Sequence, residues 1–166
     1  MTLQARKHHR TFYHGTSRER AKSILAQGVD IEASRKRDPG DFGWGFYLTC
    51  DLIRAQNCGE VVLVVEIDTS TFAYLPSPYF LDGLTHIEPT TEVEHLFHDT
   101  VFTLIDDEWW EMGTVNGTAE ERQRTARKVR ATFLSQGHGG IETPNADGEI
   151  VVFDPACIRH VHVVAQ

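Results

Sequence analysis

Asp41-Phe42-Gly43-Trp44-Gly45-Phe46-Tyr47-Leu48-Thr49 runs from a glycine-rich turn directly into an aromatic strand. Successive side chains in a strand point to opposite faces, so Phe46 and Tyr47 face opposite sides of the pleat. One ring is expected to enter the core, leaving the other as a platform on which a flat ring can stack. The glycine spacing is not that of a Rossmann fingerprint, and a strand follows the turn where that motif needs a helix.

Working outward, residues 11–14 read as a short strand, and Ser17 caps a helix on which Ala21, Ile24 and Leu25 recur at helical spacing. Gly28 ends it. Asp51 caps a second, short helix reaching about Asn57. Val61-Val62-Leu63-Val64-Val65-Glu66-Ile67 is a nearly continuous β-branched run, expected to be a central strand buried on both faces. Residues 76–117 are interrupted by Pro76, Pro78 and Pro89. They still carry Tyr79, Phe80, Phe97, Phe102, Trp109 and Trp110, and read as a packed elaboration of the domain. Thr118-Ala119-Glu120-Glu121 is a capping box opening a helix to about Gln136, with Ala126, Val129 and Phe133 as its buried stripe. Strands over 148–153 and 158–164 close the chain. Many short strands with two or three helices predict an α+β domain spanning residues 1–166.

A hydrophobic share of 40% in 166 residues supports one core. No apolar run approaches the roughly 20 residues of a membrane helix, and the charged N-terminus lacks the apolar segment of a secretory signal. Cys50, Cys58 and Cys157 form no CxxC pair and read as reduced thiols of a cytoplasmic protein. The net charge of −8 is unevenly spread: Ala55 to Glu121 holds 14 of the 24 acids and no Lys or Arg. The aromatic strand and both chain ends are mildly basic by contrast. That pattern suits a pyrophosphate-bearing ligand at one face and argues against general nucleic-acid binding, which wants a basic patch on a basic domain. A middle segment that is simply a solvated acidic face is the competing reading.

Two further stretches carry chemistry. Phe12-Tyr13-His14-Gly15-Thr16-Ser17 ends a strand with an imidazole beside a residue that lacks a Cβ, which lets a ligand approach the main chain. A structural histidine at a turn is the alternative. In Gly148-Glu149-Ile150-Val151-Val152-Phe153-Asp154 a carboxylate opens an apolar strand, either solvated at an edge or turned into a cleft. Displacement at an N-glycosidic carbon needs all three groups. Its transition state is oxocarbenium-like and positively charged, as in glycoside hydrolysis. A carboxylate bonded to the ribose 2′-OH stabilises that charge, while an aromatic face holds the leaving nicotinamide.

These three stretches, in this order, resemble the His-Tyr-Glu class of ADP-ribosyltransferases, the group of diphtheria-toxin-like toxins and poly(ADP-ribose) polymerases. The turn from Gly137 to Ile141 also resembles the class's step into its last strands. The resemblance covers about a third of the chain and leaves 76–117 unmatched. It implies a split mixed or antiparallel sheet core with a few flanking helices, and NAD as co-substrate with no metal. It further implies that His14 bonds the adenosine-side ribose and that the Gly15 backbone pins the nicotinamide carboxamide, with Thr16 assisting at the ribose. Tyr47 stacks on the nicotinamide ring, and Glu149 is the catalytic carboxylate. The class often carries a second aromatic eleven residues after the first; here that position is Cys58. A one-sided stack, or another aromatic such as Trp44, would replace it.

The implied activity is mono-ADP-ribosylation of a macromolecular acceptor, protein or nucleic acid, in a toxin-like or effector role, with an antitoxin or immunity partner conceivable and no membrane involved. Delivery into a target cell is compatible with this. An NAD glycohydrolase and a catalytically silent NAD- or partner-binding module are the rivals. Other clusters carry less. His95 and His98 beside Glu92, Glu94 and Asp99 lack a metal-ligand signature. His160 and His162 read as surface or cleft-rim residues, and Arg35-Lys36-Arg37 as a solvated loop or a contact to pyrophosphate or acceptor.

Overall fold

The computed structural model describes residues 9–33, 43–75, 91–102, 119–143 and 148–164. In chain order its elements are β1 (His9–Thr16), α1 (Arg18–Gln27), β2 (Phe46–Leu48), α2 (Leu52–Cys58), β3 (Val61–Asp68) and β4 (Ala73–Tyr74). There follow α3 (Glu92–Phe102), α4 (Ala119–Ser135), β5 (Gly140–Glu142), β6 (Ile150–Val152), a single 3₁₀ turn (Pro155–Cys157) and β7 (Ile158–Val163). The fold is α+β. One sheet has the order β1-β3-β7, and the other β2-β6-β5-β4. Every pairing is antiparallel except β4 with β5.

The two sheets meet where β1 touches the end of β2. Tyr13 and Thr49 exchange backbone hydrogen bonds, with N···O distances of 2.8 and 3.0 Å. An ion pair between Arg10 of β1 and Glu142 of β5 also crosses from one sheet to the other. His14 and Tyr47 therefore come from different sheets but flank the same junction.

β3 is central, as its β-branched run predicts, but only one of its faces is buried along its length. Leu63, Val65 and Ile67 are fully buried, whereas Val64 is half-buried and Glu66 exposed on the other face. The reason is coverage. α2 packs on β1 and β3, yet with seven residues it is too short to cover the whole outer face.

The helices begin and end where their caps require. The Ser17 hydroxyl accepts from the Arg20 N–H, and the Gly28 N–H donates to Ile24 O at a φ of +85°. Asp51 accepts from the N–H groups of Ile53 and Arg54. Ala126, Val129 and Phe133 of α4 are fully buried, as their spacing predicts. Thr118, its expected cap, lies outside the described residues. So do Arg35 to Arg37, Tyr79, Phe80, Trp109 and Trp110.

α3 was not expected, yet it belongs to the core. Phe97 packs edge-on to Phe133 at 6.3 Å between ring centroids, and Phe133 packs likewise on Phe153 at 6.1 Å. Its start is a reciprocal capping box: the Thr91 N–H donates to Glu94 Oε2, and the Glu94 N–H to Thr91 Oγ1. Among the described residues no helix is long and apolar enough to cross a membrane.

Candidate functional site

A cleft of about 700 Å³ opens between the end of β1, the start of β2, α1 and the last residue of α2. That volume lies within the range of small-molecule sites. His14, Gly15, Thr16 and Tyr47 all line it, together with Phe46 and Cys58. Four residues expected to share a ligand thus share one cavity.

His14 is held from two sides. Its Nδ1 lies 2.9 Å from the Tyr47 backbone oxygen, and its ring packs against Phe46 at 4.4 Å between centroids. A carbonyl oxygen only accepts, so Nδ1 carries the proton in this contact, and Nε2 is the ring's other hydrogen-bonding atom.

Tyr47 differs from the expectation that one of the two rings would stand clear of the core. Phe46 and Tyr47 are 3% and 5% exposed, so both are buried. The Tyr47 hydroxyl donates to Gly43 O at 2.9 Å, which satisfies the polar end of a buried ring. Both residues reach the cleft because it is cut into the core beside them. Both residues therefore contribute to the lining of the cleft.

Trp44 is not a substitute for the missing second aromatic. It is 1% exposed, its indole N–H donates to Ile31 O, and Arg127 lies over its ring at 4.5 Å. It does not line the cleft. The aromatic that does, beside Tyr47, is Phe46.

Gly15 has a structural reason that sequence reasoning did not supply. A Cβ built there would overlap the Ala55 carbonyl oxygen of α2 and crowd Cys58 Cβ. The space that a side chain would fill is taken by the helix, so the glycine admits α2 rather than a ligand on that side. Gly59, just after α2, likewise sits against the Thr16 backbone. Ala55, 1% exposed, completes this contact. Thr16 is itself buried, at 6%.

Glu149 does not line the cleft. It stands one residue before β6, just beyond the last β2–β6 pair, Leu48 with Ile150. Its carbonyl oxygen accepts from both the N–H and the hydroxyl of Thr143. Its side chain is 15% exposed, and its carboxylate is 3.8 Å from the Arg54 guanidinium of α2. The carboxylate is neither solvated at an edge nor turned into this cleft; it is tied to α2, the helix whose last residue, Cys58, lines the cleft.

The opposite wall was not anticipated. It is built from α1 and the turn after it: Arg20, Ser23, Ile24 and Gln27, then Val29, Asp30 and Ala33. Ser23 and Gln27 are four residues apart and share a helix face. Ala21 is the buried residue of α1, so its polar residues on the cleft side are the available signal. Arg20 also donates to Ala33 O at 3.1 Å, tying the helix to the far rim.

Among the described residues no group of three or more His, Cys, Asp or Glu is placed to hold a metal ion. His160 and His162 are exposed on β7, with ring centroids 5.4 Å apart, and do not line the cleft.

No family model and no curated protein matches the chain. Among solved structures it is similar to one described as "Crystal structure of an anti-CRISPR protein", at 18% identity over 95% of this chain and 97% of that one, with a TM-score of 0.43.

Proposed function

We propose that the chain is an NAD-dependent mono-ADP-ribosyltransferase. The observation that carries this reading is the contact between His14 and the Tyr47 backbone at the edge of a cleft that Gly15 and Thr16 also line. In the proposed reaction the bond between the nicotinamide ring nitrogen and ribose C1′ breaks, and nicotinamide leaves as a neutral molecule with the bonding electron pair. The resulting oxocarbenium character at C1′ is stabilised by the Glu149 carboxylate through the ribose 2′-OH. An acceptor nucleophile then bonds to C1′ and releases its proton. His14 bonds a ribose hydroxyl through Nε2, and the nicotinamide is held against the wall made by Tyr47 and Phe46.

A catalytically silent NAD- or partner-binding module is the second reading, favoured by the position of Glu149 outside the cleft lining. Incubating lysate and purified protein with labelled NAD, followed by mass spectrometry, separates the two. Label on a macromolecule supports transfer, and nicotinamide release without label supports hydrolysis by water. Neither product supports the silent module.

A further inference from the structure

We propose that Arg54 is a positioning residue for Glu149, an inference that rests on the transferase reading above. Glu149 is the carboxylate with a proposed chemical role, and the guanidinium of Arg54 lies 3.8 Å from it. An arginine beside a carboxylate attracts it and biases its rotamers, and an oxocarbenium-stabilising group requires a fixed position.

The mount of Arg54 is rigid. Its backbone N–H is bonded to the Asp51 cap, the next residue, Ala55, is buried against β1, and Gly15 and Gly59 are the close-approach points at which α2 is seated. A connection therefore runs from the His14-Gly15 strand end through α2 to Glu149, although Glu149 immediately precedes a strand of the other sheet. The pair does little to hold the fold, because its charges are 3.8 Å apart and water reaches the Arg54 side chain, which is 41% exposed, and screens the attraction. What the pair offers instead is an orientation for the Glu149 carboxylate.

The test compares Arg54→Gln, Arg54→Lys, Glu149→Gln and the double variant in nicotinamide release, with a crystal structure of Arg54→Gln. The expected result for Arg54→Gln is a fall in kcat of about 10- to 100-fold, the scale of a misplaced catalytic group. KM for NAD changes little, Arg54→Lys recovers part of the rate, and Arg54→Gln adds no loss in the Glu149→Gln background. A wild-type kcat in Arg54→Gln, or independent losses in the double variant, would overturn the proposal. If the wild-type protein releases no nicotinamide, the transferase reading fails. The crystal structure then decides the positioning claim by itself: a displaced Glu149 carboxylate upholds it, and an unmoved one overturns it.

Discussion

His14 Nδ1 and the Tyr47 carbonyl oxygen are 2.9 Å apart, which fixes the imidazole of one sheet to the backbone of the other. The bond orients the ring and sets its tautomer, and in the proposed reaction Nε2 is the nitrogen that bonds a ribose hydroxyl.

This division of labour between the two nitrogens predicts how substitutions differ. His14→Asn retains a donor near the position of Nδ1 but nothing near Nε2. It should hold the melting temperature near the wild-type value while weakening NAD binding by about tenfold, the scale of one lost hydrogen bond. His14→Ala should lose both. Calorimetric titration with NAD and thermal unfolding measure the two effects; equal NAD affinity in wild type and His14→Asn would remove the role of Nε2.

Tyr47 is tied by its hydroxyl as well as its ring. Tyr47→Phe should keep the aromatic wall and most of the NAD affinity, yet lower stability by about 1–3 kcal/mol by leaving the buried Gly43 carbonyl without this donor. Tyr47→Ala should weaken both. Denaturant unfolding beside NAD titration checks this, and an unchanged stability in Tyr47→Phe contradicts the buried bond.

Gly15→Ala places a methyl group where the Ala55 carbonyl lies. The substitution should cost about 1–3 kcal/mol, the scale of overpacking a close contact, because α2 must move away from β1. Denaturant unfolding reads the loss. A variant of wild-type stability would show that α2 is not seated on this residue.

The thiols should differ in reactivity. Burial pushes the Cys157 thiol above its usual range, and it is 9% exposed, while Cys50 and Cys58 are exposed. The thiolate is the nucleophile, so iodoacetamide at neutral pH should modify Cys50 and Cys58 well before Cys157, as peptide mass spectrometry resolves. Protection of Cys58 by NAD would further place the ligand in the cleft, since Cys58 lines it.

Much of this architecture was legible because local chemistry and global fold agree. Ser17, Gly28 and Asp51 mark helix boundaries by their caps, and Ala126, Val129 and Phe133 mark a buried face by spacing. α3 was not legible although Thr91 and Glu94 form a capping box, because Pro76, Pro78 and Pro89 interrupt the stretch leading into it. β4 and β5 are two and three residues long, too short for periodicity to reveal. At the site, the resemblance groups His14, Gly15, Thr16 and Tyr47, and all four line one cleft. What could not be read was which neighbour fills an empty space: the place beside Gly15 belongs to Ala55, and Trp44 turns inward to Ile31. Long-range packing, which a linear pattern does not encode, also decides that Glu149 meets Arg54.

The central claim is that this cleft and Glu149 together split NAD. Its most direct test is nicotinamide release from NAD by purified protein, with and without lysate, for wild type and Glu149→Gln. The account predicts release by the wild type, a fall of about 10²–10³-fold in Glu149→Gln as expected for losing one transition-state contact, and NAD affinity largely retained. Release at equal rates by the two proteins, or none from wild type with any lysate present, would contradict it.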